Sequence, residues 1–298
     1  MASFFDEIAR NKAKSILLMA VFCAIFFLIM YVFVIFLGGG PFAIAAGAAV
    51  ILLYAAFSYF AGDKIILKMS GAKKADPAQY PVLFDAVEGL AAATQIPKPD
   101  IYVINDPSPN AFATGRNKKH ACIAVTSGLL SMMNREGLQG VISHEISHIS
   151  DNDIQFMMLA IVFAGAIGLA ASAIRMSFFF GFGGNNRSGG GMFFLIALAL
   201  SIIAPIMAFM VRLAISRKRE YMADANGARI TRNPQSLANA LKKIDGYSTK
   251  PNAPPVKNAN DVTASLYFSS PLRKQSISNL FSTHPPTAER IKRLEQMY

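Results

Sequence analysis

The sequence predicts an α-helical integral membrane protein with four transmembrane helices, which carries an α+β cytosolic domain with a small β-sheet. Of the 298 residues, 53% are hydrophobic, and the mean hydropathy of +0.37 is too high for an ordinary soluble domain. Four apolar runs without an internal charge explain the excess, at 16–37, 42–60, 154–174 and 193–211. Each can cross roughly 30 Å of hydrocarbon, and core helices rarely stay apolar on every face for so long.

The basic residues near these runs predict the orientation in the membrane. Lysines and arginines precede the first run and follow the second and fourth, whereas the connection 38–41 is uncharged. The positive-inside rule therefore places both termini and segment 62–153 in the cytosol. The third and fourth runs can instead pack as a hairpin against protein. The predicted parts are a transmembrane hairpin at 1–61, a cytosolic segment at 62–153, a second hairpin at 154–211 with an external loop at 175–192, and a second cytosolic segment at 212–298.

Charge and cysteine content exclude several classes of protein. The net charge of +11 is explained by topology and by attraction to anionic lipids, so we expect no nucleic-acid partner. No Gly-x-x-x-x-Gly-Lys-Ser/Thr motif occurs, and no nucleotide site is expected. Cys23 and Cys122 are too few for a disulfide framework, which fits a reducing compartment. The first run is longer than a signal-peptide core and predicts an uncleaved anchor.

Helices and short strands are predicted in the cytosolic segments. Asp76-Pro77 is typical of a helix start and predicts a helix to about Thr94. Strands are predicted at Ile101–Asn105 and Ala121–Thr126, separated by a turn-rich stretch and segment 111–115. Asn134 is the expected N-cap of a helix over Arg135–Ser150. Further helices are predicted at Ser216–Ile230, from Asn233 to about Ile244, and at Thr287–Met297, with residues 246–286 mostly irregular and Leu266–Phe268 as a docking point.

The predicted helix at Arg135–Ser150 contains the motif His144-Glu145-Ile146-Ser147-His148. Histidines four residues apart share one face of a helix and can bind one zinc ion, and the intervening glutamate then lies beside the attacking water. The motif therefore predicts a zincin-like protease domain with one Zn²⁺ per chain and Glu145 as general base. The alternative is a helix that carries two exposed histidines without a metal.

A catalytic zinc ion usually takes a third protein ligand, for which Glu220 is the predicted residue. His148 lies six residues before the third apolar run and Glu220 nine residues after the fourth, which is about 9 and 13 Å along continuing helices. If the third and fourth runs form an antiparallel hairpin, the two side chains lie at a similar height above the membrane. The alternative is a solvated charge beside neighbouring basic residues. Asp224, one turn beyond Glu220, is placed to accept the free ring N–H of a ligand histidine.

Two further predictions concern substrate and transition state. The fourth histidine, His284, can stabilise the tetrahedral oxyanion or can simply pack the entry to the last helix, and the sequence leaves both open. Segment 111–115 can offer a strand edge to an extended substrate backbone. The predicted substrate-contacting residues are Asn110, Ala111, Phe112, Ala113 and Thr114.

Several motifs together resemble the HtpX family of bacterial membrane zinc metalloproteases, and the likeness covers nearly the whole chain. The chain is more distantly similar to the CAAX prenyl-protein metalloproteases. The matching segments are 144–148, 216–224 with Gly227-Ala228, 110–115, and 280–286 with Arg290-Ile291.

The resemblance implies a gluzincin-like site, with His144, His148 and Glu220 on zinc, Glu145 as base and Asp224 behind a ligand. It also implies a multi-pass protein of the bacterial inner membrane with a cytosolic active site. There it would cleave misfolded or damaged membrane proteins without ATP, as part of quality control and the stress response. One alternative is a processing peptidase for one substrate class, such as lipidated C-termini, and another is a non-enzymatic membrane adaptor.

Overall fold

A computed structural model describes residues 40–160, 162, 217–250, 252–259, 263–271 and 285–297, together with positions 20, 24 and 27. The chain divides into two compact units, one of Met1–Ala61 with Leu159–Val211 and one of Gly62–Met158 with Arg212–Tyr298. Apart from those three positions, the predicted spans 16–37 and 193–211 lie outside the described residues, as does the loop 175–192. Of the run 154–174, only 154–160 and 162 are described.

The first described helix, α1, runs from Pro41 to Met69. Within the described residues it provides the one helix long and apolar enough to cross a membrane, over Ile44–Met69. Four transmembrane helices are therefore not confirmed. The helix passes the predicted end at residue 60 because no breaker interrupts it before Gly71, which has φ +69°. The Gly71 N–H donates to the Lys68 carbonyl at 3.1 Å, as expected where a left-handed glycine ends a helix.

The second unit contains a four-stranded sheet of order β1-β2-β4-β3. Strand β1 is antiparallel to β2, β2 is parallel to β4, and β3 is antiparallel to β4. The predicted strand at 101–105 lies one residue earlier, and segment 111–115 is a full strand at one edge of the sheet. The strands are β1 (Ala72–Lys74), β2 (Asp100–Ile104), β3 (Ala111–Gly115) and β4 (Ala121–Thr126).

The helices of this unit meet around one central helix, which also packs against the sheet. Helix α4 packs against α2, α5, α6 and strand β3, and α7 packs against α5 and α6. The core between them is apolar and closed; Ile123, Ile142 and Ile146 have no exposed surface. The helices are α2 (Pro81–Ala93), α3 (Ser127–Met132), α4 (Arg135–Ser150), α5 (Arg217–Thr231), α6 (Pro234–Ser248) and α7 (Thr287–Glu295).

Besides the end of α1, two predicted helix boundaries were wrong. Helix α2 begins at Pro81 rather than at Pro77, because the Asp76 side chain accepts from the Ala78 N–H at 3.0 Å and forms a local turn. Proline at the first helical position then starts the helix four residues later. Helix α6 runs to Ser248 instead of ending near Ile244, since nothing between the two positions breaks its hydrogen bonding.

Candidate metal centre

Helix α4 holds the two motif histidines inside the protein. The Asn134 side chain accepts from the Gly137 N–H at 3.0 Å and caps the helix, as its sequence predicts. His144 and Glu145 are each 1% exposed and His148 is 5% exposed. The alternative of two solvent-exposed histidines is therefore excluded.

Helix α5 crosses α4 closely enough to bring its acidic side chains to the histidines. At Gly227 a Cβ atom would lie 2.9 Å from Ser143 Oγ and 3.1 Å from the His144 backbone nitrogen, so this approach requires glycine. Glu220 and Asp224 precede Gly227 on the same helix and are 3% and 2% exposed. A glycine at the crossing thus sets how near these two carboxylates can come to α4.

The structure brings His144, His148 and Glu220 together around one point. The two Nε2 atoms are 3.1 Å apart, and the Glu220 carboxylate oxygens lie 3.7 Å from Nε2 of His144 and 3.5 Å from Nε2 of His148. Among the described residues this is the one group of at least three possible metal ligands, with its ligand atoms within 4.8 Å of one another. Two imidazoles and one carboxylate form a ligand set that suits zinc.

Glu145 lies in the same buried cluster, and one of its carboxylate oxygens has no hydrogen-bond partner. Its Oε1 is buried without a hydrogen-bond partner, which is costly unless a ligand or water completes it. Burial, reinforced by the charge of Glu220, raises the pKa of Glu145 to about 7, although His148 and the Ala113 N–H oppose the shift. A carboxyl with this pKa can both accept and return a proton near neutral pH.

The Asp224 carboxylate contacts His144 at the ring nitrogen that lies away from the cluster of ligand atoms. Its Oδ1 lies 2.9 Å from His144 Nδ1, so His144 can donate from Nδ1 and keep the Nε2 lone pair for a metal. Burial alone would raise the pKa of Asp224, but the Arg290 guanidinium outweighs it and holds this pKa at about 2. Burial lowers the pKa of His144 to about 4, which keeps the ring neutral.

Asp153 plays the corresponding part for the second histidine, and the sequence did not reveal it. Its Oδ2 lies 3.2 Å from His148 Nδ1, and its Oδ1 lies 3.8 Å from Arg219 Nη1. Helix α4 ends at Ser150, and Asn152 with φ +62° turns the chain before helix resumes at 153. Although burial opposes it, the Asp153 contact and Glu220 raise the pKa of His148 to about 9.

The predicted substrate-contacting residues divide into two groups. The side chain of Asn110 binds the backbone of Ser269 in both directions, at 2.8 and 3.2 Å, and Phe112 is fully buried against Tyr267. The buried hydroxyl of Thr114 has no partner. Ala111 and Ala113 lie on the opposite face of β3, in the core shared with α4.

The backbone of β3 faces both β4 and a free edge. The Thr126 N–H donates to the Asn110 carbonyl at 3.0 Å, so even-numbered residues of the strand pair with β4 and odd-numbered ones point outward. The Ala111 carbonyl accepts from the Phe268 N–H at 2.8 Å, which confirms docking at Leu266–Phe268. Beyond it, Ala113–Gly115 has no further strand beside it among the described residues. His284, the fourth histidine and a predicted site residue, lies outside the described residues.

Comparison with known proteins agrees with this geometry. The model of the family described as Peptidase family M48 matches residues 77–298. The Protease HtpX homolog of Caldanaerobacter subterraneus subsp. tengcongensis is 46% identical, covering 99% of this chain and 98% of that protein. The Protease HtpX homolog of Dictyoglomus thermophilum is 41% identical, covering 99% and 95%.

A solved structure shares the fold. The crystal structure of S. mikatae Ste24p superposes with a TM-score of 0.50 at 20% sequence identity and covers 97% of this chain. The chain spans 66% of the length of that protein. At this identity the likeness concerns the fold alone.

Proposed function

Since the chain belongs to peptidase family M48 and is a membrane zinc metalloprotease, we propose that His144, His148 and Glu220 bind the zinc ion and that Glu145 is the general base. The observation that carries this assignment is the convergence of the three ligands within 4.8 Å, next to a buried Glu145 oxygen without a partner. Membership of a peptidase family favours an enzyme over the non-enzymatic adaptor.

The catalytic work divides between the metal and the side chains of this protein. Bound zinc supplies a Lewis acid that polarises the scissile carbonyl and acidifies the attacking water. Glu145 takes a proton from that water and returns it to the leaving amine, a role that its buried Oε1 without a hydrogen-bond partner leaves open. Asp224 and Asp153 keep the Nδ1 atoms of His144 and His148 as donors, so that both Nε2 lone pairs would be available to a zinc ion.

We propose that an extended substrate pairs with the outer edge of β3 at Ala113–Gly115. Support comes from the position of β3 at the sheet edge and from the hydrogen bond of the Ala113 N–H to Glu145, which places this edge beside the general base. Since that N–H is already used, the substrate backbone would pair through the Ala113 carbonyl and the Gly115 N–H. Backbone pairing reads few side chains and therefore tolerates many sequences. Asn110 and Phe112 act in this proposal by holding Ser269 and Tyr267 in place, without touching the substrate.

The biological role that we propose is ATP-independent cleavage of misfolded or damaged membrane proteins at the cytosolic face of the bacterial inner membrane. The apolar helix over 44–69 supports a membrane location, and the basic residues after it and before residue 16 support cytosolic termini. We also propose that the organisation into two transmembrane hairpins and a two-part protease domain, 62–153 and 212–298, holds for this chain.

Replacement of Glu145 by glutamine tests the assignment. Glu145→Gln should keep stoichiometric zinc and lose at least about 100-fold in peptide turnover, since general acid–base groups contribute about 10²–10⁴-fold. Glu136→Gln changes an exposed glutamate of the same helix and should leave both quantities unchanged. Turnover by Glu145→Gln above a hundredth of wild type would refute the role. Membrane proteomes with wild type and Glu145→Gln then separate broad cleavage from one defined substrate class.

A further inference from the structure

Arg290 of helix α7 is an arginine in the protein interior. It is 2% exposed, and an arginine is buried at such a position only when its charge and its donors are satisfied. Its Nε and Nη2 donate to the two carboxylate oxygens of Asp224 at 2.8 and 2.7 Å. Its Nη1 donates to the Phe268 carbonyl at 2.9 Å. One guanidinium therefore joins helix α5 to the segment that docks on β3.

The contact between Arg290 and Asp224 affects the orientation of His144, a proposed zinc ligand. Two charge-assisted bonds in a fork fix the Asp224 carboxylate more firmly than one bond does. The Oδ1 atom that Arg290 Nη2 holds is the same atom that faces His144 Nδ1 at 2.9 Å. Nη2 itself lies 3.4 Å from His144 Nδ1, and without Asp224 it would donate to that nitrogen and move the ring proton to Nε2. The Arg290–Asp224 pair therefore selects the tautomer that binds a metal.

The contact between Arg290 and Phe268 affects the outer edge of strand β3. The Phe268 N–H occupies the Ala111 carbonyl on the outer edge of β3, so the free edge begins only after that residue. The Phe268 ring packs edge-on against the His144 imidazole, with centroids 4.9 Å apart, and the Arg290 guanidinium lies 4.9 Å from the centroid of the same ring. Phe268 is 1% exposed and belongs to the apolar core, and these contacts hold its ring between His144 and Arg290.

We propose that Arg290 is a positioning residue that fixes, with one side chain, the zinc-binding orientation of His144 through Asp224 and the end of the substrate-binding edge of β3 through Phe268. The second half rests on the proposed binding of substrate to that edge. Lysine cannot replace this arginine, because a single ammonium group cannot span a forked carboxylate and a carbonyl on another segment.

The test uses purified full-length protein in detergent and begins with zinc affinity, measured by competition with a chelator. Arg290→Lys should weaken zinc binding about 10–100-fold, the usual loss when a partner behind a metal ligand is removed. Arg293→Ala is the matched control, since Arg293 lies one turn further on the same helix, is exposed, and contacts Tyr221 and Glu289. A zinc affinity of Arg290→Lys within threefold of this control would overturn the proposal.

A double-mutant cycle separates positioning from a general loss of packing. If Arg290 acts through Asp224, the double variant Asp224→Asn/Arg290→Gln should bind zinc no more weakly than Asp224→Asn alone. Additive losses would show that Arg290 acts elsewhere and would refute the link. Because Arg290→Gln removes the guanidinium partner of the buried Asp224 carboxylate, a loss that also bears on folding, Arg290→Lys provides the independent reading.

The proposed effect of Arg290 on the substrate-binding edge of β3 is tested with zinc at saturating concentration. Arg290→Lys should then raise KM several-fold with a smaller fall in kcat and should broaden the set of cleaved bonds, whereas Arg293→Ala should match wild type. An unchanged KM and cleavage map would overturn this half. Failure of wild type to bind zinc or to cleave would instead refute the proposed function itself, so the two failures are distinguishable.

Discussion

Gly227→Ala tests whether the close crossing of α4 and α5 sets the geometry of the metal centre. An added Cβ atom would fall 2.9 Å from Ser143 Oγ and 3.1 Å from the His144 nitrogen, whereas ordinary contacts begin at 3.4 Å. Ser143 cannot rotate away freely, because its hydroxyl donates to the Gly140 carbonyl at 2.7 Å and is fully buried. The helices must therefore separate by a few tenths of an ångström at His144, a proposed zinc ligand.

The expected cost is larger than the gain in helix propensity. Overpacking of a core contact costs about 1–3 kcal/mol, while alanine in place of glycine gains roughly 1 kcal/mol in a helix. Gly246→Ala is the matched control, since a Cβ atom at Gly246 in α6 meets nothing within 4 Å and only the gain should remain. We expect Gly227→Ala to lower Tm relative to Gly246→Ala by about 2–6 °C and to weaken zinc binding.

Thermal unfolding in detergent and zinc affinity by chelator competition measure the two effects. The double variant Ser143→Ala/Gly227→Ala removes the nearer contact and should recover part of both losses, since the contact with the His144 nitrogen remains. Equal Tm values and zinc affinities for Gly227→Ala and Gly246→Ala would refute the argument that this crossing positions the ligands.

Three further predictions address the ligands and the topology. Glu220→Ala should remove most of the bound zinc because it deletes a ligand, whereas His284→Ala should leave zinc bound; metal analysis of the purified variants decides this, and the reverse pattern would indicate a three-histidine site. Asp153→Asn should weaken zinc binding about 10–100-fold, because the amide holds His148 Nδ1 less firmly than the carboxylate does, and chelator competition measures the loss. A topology reporter inserted near Lys73 should be cytosolic and one near Gly190 external, and a cytosolic result at Gly190 would contradict the second hairpin.

The sequence predicted what depends on local pattern and missed what depends on distant contacts. The spacing of His144 and His148 and the cap at Asn134 place the motif on a helix without any tertiary information. Strand β4 was predicted at its observed bounds for the same reason, since its apolar run is a local pattern, whereas the short helix α3 that follows it was not predicted. The four-helix membrane count is not confirmed, because most of those runs lie outside the described residues.

Glu220 and Arg290 show the limit of inference from sequence. The argument for Glu220 used the height of two apolar runs above a membrane, and the structure places the side chain beside the histidines through the α4–α5 crossing at Gly227. Arg290 follows His144 by 146 residues, and in the sequence it lies among other charged residues of an amphipathic helix. Only the packing of α7 on α5 shows that this side chain points inward.

The buried charges around the histidines explain why this site is built for a cation. Five buried carboxylates face two buried or nearly buried guanidinium groups, so full ionisation leaves an excess of negative charge where water cannot screen it. Without a cation, protons must compensate: the pKa of His148 is raised to about 9 by Asp153 and Glu220 against the effect of burial, and burial raises that of Glu145 to about 7. A divalent ion displaces such protons, because it binds neutral imidazole and ionised carboxylate. Arg290 is paired with Asp224 at 2.7 Å and lies 3.9 Å from Glu220, and Arg219 lies 3.8 Å from Asp153, so the two guanidinium groups do not balance the five carboxylates. The carboxylates are those of Glu145, Asp151, Asp153, Glu220 and Asp224, and the guanidinium groups those of Arg219 and Arg290.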